Sequence, residues 1–489
     1  MARAAWKELR QKLIFDICNQ KPPRPTLSLV QRSGDTLQRL GKVQEVLRNG
    51  NRNAFEDAKL ASVLDLEGKH LDAKHLLEQS IEKEGHLGKR SAMHLLKHMV
   101  QRHVQWQQER EDLGRRQHKV VAVETVSANI SREELWERFV QPGIPCVLRG
   151  VRLAPFRHLQ DLKAVIGHLQ VPLRRCDEDS TNWAKLESAG TVSFEDFLKS
   201  FVEPFPDGIS APQNSPQLFD FSIWQQCAET LDTKVHMPSK WFPVDLYSYA
   251  SAQIQPVSGS AGPTLFVAPQ GSGSSLHVDT LQTNFWMSMC RGQKRWRLVS
   301  KDEISLLHPL YLTDLNPVFP ADLNSIQNAA TKNFTETKFI GHRSVTIHET
   351  VLEADDLIFV PAGWPHQVEN LETSIAVSAN FIDASNIQKS LEEAEILGNV
   401  EEDPGILAKI LRSVVASDKI ELLTREASEN ESLREFKARH GETRAPYEFQ
   451  RLLLRGISIS AIGIGCICLV FGLRGRGRSF DPSHAQETR

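Results

Sequence analysis

The 489-residue chain predicts an α+β protein: a β-barrel or double-sheet jelly roll between two helical flanks, with a membrane-spanning helix near the C-terminus. Three observations carry this expectation. Short apolar runs separated by turn signals occupy the middle of the chain, apolar residues recur with helical period on both sides of it, and residues 456–473 contain no charge. A net charge of −3 argues against a nucleic-acid partner. Seven cysteines without a Cys-x-x-Cys pair argue against a disulfide framework or a zinc site, and suit a reducing compartment.

Each element follows in order. The N-terminal region, 1–118, reads as helical. Its best pattern runs from Asp57 to Ile81 and is broken at Gly68. The spacing of Gly68, Ala73 and Leu77 resembles part of a tetratricopeptide helix pair, but a single copy cannot bury a core alone, so a plain helical hairpin is the simpler expectation. Residues 91–117 form a long polar helix leading into the barrel. Within 119–385, Asn284–Cys290 and Lys294–Val299 read as strands joined by the turn Arg291-Gly292-Gln293, an expected hairpin. Asp355-Asp356 is a turn, Leu357–Val360 a buried strand, Pro361–Gly363 another turn and Ser374–Asn380 the last strand. In 386–450, residues 388–397 and 406–427 read as helices with Asp403-Pro404-Gly405 between them. They would pack on the barrel or, as the family resemblance given below implies, form a homodimer. The apolar stretch 456–473 is flanked by Arg451 and Arg455 before it and Arg474, Arg476 and Arg478 after it. As a helix it would cover about 27 Å, enough for a bilayer core. That predicts a tail-anchored protein facing the cytosol, on the mitochondrial outer, peroxisomal or endoplasmic reticulum membrane. The N-terminus lacks the apolar core of a signal peptide.

The chemistry concentrates at His277-Val278-Asp279 and at His366, 89 residues later, which ends the run Phe359-Val-Pro-Ala-Gly-Trp-Pro-His366. Residues two apart in a strand point to one side, so His277 and Asp279 can aim inward together. Two imidazoles and a carboxylate can bind one face of a divalent iron ion and leave the other face open, as in non-haem Fe(II) oxygenases. Among 17 histidines an isolated His-x-Asp carries little weight. Lys294, Ser378 and Asn380, placed where they can share the same interior, give it weight.

The stretches His277–Trp296 and Val360–Phe381 resemble the two metal motifs of the JmjC-domain Fe(II)/2-oxoglutarate oxygenases. The Gly292-x-Lys294-Arg-Trp296 ending resembles their arginine/lysine-hydroxylase-like branch. The likeness extends upstream through Val120–Val126, Ser131–Phe139, Pro142–Gly150, Pro216–Ser222 and Trp241–Leu246. It implies a double-stranded β-helix of jelly-roll, cupin-like form. It also implies His277, Asp279 and His366 as iron ligands, and 2-oxoglutarate as cosubstrate with its distal carboxylate on Lys294. Ser274, Ser378 and Asn380 match positions that hydrogen-bond the cosubstrate or line its pocket. Met287 stands where the closest branch has an Asn, with Asn284 the amide three residues away. The reaction implied is hydroxylation of a protein side chain. N-demethylation would follow from hydroxylating a carbon beside nitrogen, and a non-catalytic scaffold is the competing reading. A cupin-type dioxygenase acting on a small molecule without 2-oxoglutarate is disfavoured by Lys294.

Overall fold

A computed structural model describes residues 54–441, apart from internal stretches that include 85–91, 254–261 and 325–344. The uncharged stretch 456–473 and the N-terminal 53 residues lie outside the described residues. Among the described residues no helix is long and apolar enough to cross a membrane.

Two sheets form the centre. The smaller has the order β1 (Lys119–Ala122), β11 (Thr346–Leu352), β10 (Lys294–Val299), β13 (His366–Asn370), β8 (Gly273–His277). The larger begins with β2 (Glu124–Ser127), β3 (Cys146–Arg149), β12 (Asp356–Val360), β9 (Asn284–Arg291) and β14 (Ser374–Phe381). It continues through β7 (Thr264–Ala268), β6 (Gln217–Ser222), β4 (Gln170–Cys176) and β5 (Leu186–Ser193). Phe266, Phe285, Met287 and Met289 of the larger sheet pack against Trp296, Leu298 and Leu352 of the smaller, so the two inner faces share one core. A second core on the outer side of the larger sheet joins Leu135, Phe139, Phe194, Phe197 and Trp286. This is the predicted jelly roll.

The expected hairpin between β9 and β10 is not formed. β9 pairs with β12 and β14, and β10 pairs with β11 and β13, so the turn at Gly292 carries the chain from one sheet to the other. The reason lies in burial: every residue of β9 but Arg291, and every residue of β10 but Arg295, is buried. Such strands need a neighbour on each edge, which a jelly roll supplies and an isolated hairpin cannot.

β8 and β13 approach unusually closely. A β-carbon on Gly273 would lie 2.2 Å from the carbonyl oxygen of Val368, next to the register shift between His366 and Val368. Backbone cannot yield as a flexible side chain can. Gly273→Ala is therefore expected to lower stability by about 1–3 kcal/mol, the range for overpacking a tight site, and to weaken metal binding because the two strands carry His277 and His366. Urea denaturation with and without Mn(II) measures both effects.

The N-terminal flank consists of α1 (Ala54–Leu66), α2 (His70–Glu84) and α3 (Ala92–Leu113). Gly68 at φ +80° makes the turn between the first two. Ala58, Ala61, Leu64, Ala73, Leu77, Leu96 and Val100 form their common core. After the barrel come α4 (Ile387–Gly398), α5 (Glu402–Val415), α6 (Lys419–Glu426) and α7 (Leu433–Gly441). Two sequence expectations change here. The segment Asp403-Pro404-Gly405 is the first turn of α5 and not a linker, a position where proline's missing N–H costs no hydrogen bond. The single helix expected over 406–427 is broken by a turn before Asp418 into α5 and α6. Gly398 and Gly405 let α4 and α5 meet closely: a β-carbon on Gly398 would fall 2.6 Å from the Gly405 Cα.

Candidate metal centre

The backbone brings the two motifs together by strand pairing. His366, the first residue of β13, is the cross-strand partner of His277, the last residue of β8, and their ring centroids are 4.2 Å apart. Asp279 follows β8 in extended backbone (φ −64°, ψ 144°), which keeps it on the His277 side although the ladder has ended. One ligand atom from each of the three lies within 4.8 Å of the other two, as the sequence pattern requires.

The imidazoles are preset for a cation. His277 Nδ1 lies 2.7 Å from the carbonyl oxygen of Ser275, and His366 Nδ1 lies 3.0 Å from that of Trp364. A carbonyl only accepts, so each Nδ1 carries its proton and each Nε2 keeps a lone pair. Burial, and then the neighbouring His366, push the His277 pKa well below its ordinary value. Burial raises the Asp279 carboxyl, which His366 and Asn380 partly offset. The two imidazoles and the carboxylate are all buried, where a cation would answer the carboxylate's charge. The donor set, two nitrogens and one oxygen on one side of a cavity, fits a divalent ion of the iron type. Trp183 supports the pair within the same cavity: its indole Nε1 donates to the carbonyl of Val278 at 2.8 Å, and its ring meets His277 edge-on at 4.7 Å.

The cavity around this cluster measures about 660 Å³. Lys294 lies in its wall, 3% exposed, with its Nζ donating to Asn370 Oδ1. Asn370 is fixed in turn: its Nδ2 donates to the carbonyl and hydroxyl of Ser272 at 2.9 and 3.0 Å, and its Oδ1 accepts from Ser374 at 3.0 Å. Burial lowers the Lys294 pKa to about 7. Such a group is costly when charged and receptive to an anion.

The other predicted residues divide. Ser274 and Asn380 line the cavity, and Asn380 Nδ2 also donates to Thr283 Oγ1 at 2.8 Å. Ser378 is buried beside it but is 3.0 Å from Thr264 Oγ1, hydroxyl to hydroxyl, and does not form part of the wall. Met287 faces the cavity. Asn284 does not take its place: it lies on the opposite face of β9, where its Oδ1 accepts from the Ala362 amide at 3.0 Å and its Nδ2 donates to Ser385 at 3.0 Å. The sequence reading missed Asn370, Trp183, Gln217 and Asp220. Asn370 lies within Val360–Phe381, and Gln217 and Asp220 within Pro216–Ser222, but the role of Asn370 becomes visible only through the register Lys294↔Asn370.

A second histidine–carboxylate group, Asp65 with His70 and His103, occurs in the N-terminal flank. His70 Nδ1 and His103 Nδ1 each lie 2.8 Å from Asp65 Oδ1, and His103 Nε2 accepts the Tyr311 amide at 2.8 Å. Because Nε2 is an acceptor, Nδ1 must bear the proton, which leaves His103 no lone pair for a metal. This group is a hydrogen-bonded clamp between the flank and the barrel.

Residues 131–386, slightly more than half of the chain, match the cupin-like domain family. Arginine-specific demethylase JMJ20 of Arabidopsis thaliana is 30% identical over 123 residues, 25% of this chain and 24% of that protein. The 2-oxoglutarate and iron-dependent oxygenase JMJD4 of Homo sapiens is 23% identical over 273 residues, 51% of this chain and 58% of that protein. Bifunctional arginine demethylase and lysyl-hydroxylase psr-1 of Caenorhabditis elegans is 25% identical over 270 residues, 53% and 60% respectively. The chain thus spans less than two thirds of each of these relatives. With the family match covering the barrel from β3 onward and its three candidate ligands, the chain belongs to the cupin-like domain family and carries a JmjC-type domain.

Proposed function

We propose that this chain is an Fe(II)- and 2-oxoglutarate-dependent dioxygenase that hydroxylates a protein side chain. One observation carries the reading: His277, Asp279 and His366 converge in a cavity whose wall also presents the buried Lys294. The human relative JMJD4, a 2-oxoglutarate and iron-dependent oxygenase by name, supports the same cofactor pair. When bound, iron(II) and 2-oxoglutarate would supply oxidative decarboxylation to succinate and carbon dioxide, with one oxygen atom going to a C–H bond of the target.

The chain's own residues do the rest. His277 and His366 would hold the ion through Nε2, and Asp279 through a carboxylate oxygen. Lys294, its Nζ held by Asn370 Oδ1, would answer the far carboxylate of the cosubstrate. Ser274 and Asn380 offer polar contacts along the wall. Asp220, Arg174 and Asn182 also line the cavity and are placed to meet the incoming target. N-demethylation is the second reading, favoured by the demethylase names of two relatives; the site is the same and only the attacked carbon differs. A non-catalytic scaffold has no physical need for the three ligands and Lys294 together. Incubating the protein with Fe(II), 2-oxoglutarate and cell extract, then reading peptides by mass spectrometry, separates the outcomes: gain of one oxygen, loss of a methyl group, or neither.

The stretch 456–473 is proposed to anchor the protein by its tail with the catalytic body in the cytosol, which its uncharged composition and flanking arginines support. Deleting it should move the protein from the membrane pellet to the supernatant; an unchanged distribution would sink the anchor. Self-association through the C-terminal helices is proposed as well, since Val415 and Leu422 are exposed there. Light scattering on the full chain reads it.

A further inference from the structure

Both helical flanks converge on the residues that follow the second candidate ligand. Thr280-Leu281-Gln282 forms one tight turn directly after Asp279, with Leu281 at φ +57° and Gln282 at φ +50°. Two successive side-chain-bearing residues in the left-handed region are unfavourable, because the β-carbon crowds the following carbonyl. Such a turn persists only where its surroundings hold it.

The holding groups come from opposite ends of the chain. The carbonyl of Gln282 accepts from Asn386 Nδ2 at 2.9 Å and from Ser390 Oγ at 3.1 Å, at the start of α4. The Gln282 side-chain amide donates to Glu393 Oε2 at 3.2 Å, one turn further along α4. The same Glu393 oxygen accepts from Arg102 Nη2 of α3 at 3.0 Å, and Arg102 Nη1 donates to the carbonyl of Leu315 at 3.0 Å. Gln282 also lies against the loop leading to the third ligand: a β-carbon on Gly363 would be 3.2 Å from its Oε1. Arg102, Gln282, Leu315, Gly363 and Glu393 border a second cavity of about 430 Å³ that shares Asp279 and Asn316 with the first. The polar tie therefore spans a cleft, where filling a core does not require it.

We infer that Glu393, with Arg102 and Gln282, is a positioning assembly that sets Asp279 for the metal, so that both flanks belong to the metal centre. The inference rests on the metal reading above. Glu393 touches neither ion nor substrate; it acts through the Gln282 turn. Outer partners of this kind orient metal ligands, and their loss weakens metal binding about 10- to 100-fold.

The test uses the full chain with the double variant Arg102→Met, Glu393→Met, which removes the pair without leaving one charge buried alone. Mn(II) titration followed by electron paramagnetic resonance reads both affinity and the line shape of the bound ion. The expected result is Mn(II) affinity lowered about 10- to 100-fold, with a changed line shape at saturation. A purely structural role would move the melting temperature and leave that line shape alone. Should the double variant fail to fold, Gln282→Ala removes only the amide arm and carries the same expectation. A folded variant of either kind that binds Mn(II) with wild-type affinity and line shape overturns the inference. If wild-type protein binds no Mn(II), or if Asp279→Ala binds it as wild type does, the metal centre itself fails and the positioning role with it.

Discussion

Asp279→Ala is expected to abolish specific Mn(II) binding while leaving the metal-free protein at least as stable as wild type. Removing an outer partner of a ligand typically weakens metal binding about 10- to 100-fold, so removing the only anionic ligand should exceed the upper end of that range. The stability half follows from burial. The Asp279 carboxyl is raised by desolvation, so its ionised form opposes folding above its folded pKa when no cation is present. Taking it away removes that opposition at neutral pH. Calorimetric melting without metal and Mn(II) titration measure the two halves separately. A variant that binds metal normally, or one that simply unfolds, would contradict this account of the site.

Lys294→Met is the second large effect, again with two signs. Truncating one partner of a buried charge pair costs about 2–5 kcal/mol, so the affinity for 2-oxoglutarate should fall about thirtyfold to several thousandfold. The metal- and ligand-free variant should melt higher at neutral pH, because a lysine pushed to about 7 by burial opposes folding wherever the unfolded chain keeps its proton. The pH dependence has a definite direction. Between about 7 and 10.5 the unfolded chain holds the Lys294 proton and the folded chain does not, so the stability of the ligand-free wild type rises with pH across that window. A dicarboxylate needs the charged form. Its affinity should therefore drop by about tenfold for each pH unit above 7, and binding at pH 8 should take up close to one proton. Calorimetry in buffers of different ionisation enthalpy reads the proton. In Lys294→Met both dependences should vanish.

How much of this was legible in the sequence depended on the range of each interaction. His277 and Asp279 are two residues apart, and the period of an extended chain was enough to put them on one side even though the strand ends at His277. His366 was legible as the third ligand candidate, but its pairing with His277 was not, because the register of β8 on β13 sets it. The β9–β10 hairpin was misread for the same reason: the turn signal at Gly292 is local, while the choice of sheet is made by burial on both edges. Ser378 and Asn284 show that position in a motif does not fix a role. Thr264 takes up the first hydroxyl, and pleating turns the second residue away from the cavity. Asn370 and Glu393 were invisible in the sequence because each acts only through a distant partner, Lys294 in one case and Arg102 with Gln282 in the other.

The most direct measurement is succinate release from 2-oxoglutarate by the full-length protein with Fe(II) and dioxygen, in the presence of cell extract depleted of endogenous oxygenase activity, compared with Asp279→Ala prepared in the same way. The wild type should form succinate, a chelator should stop it, and the variant should form none. Equal release by wild type and variant, or none by a wild type that binds Mn(II), would contradict it.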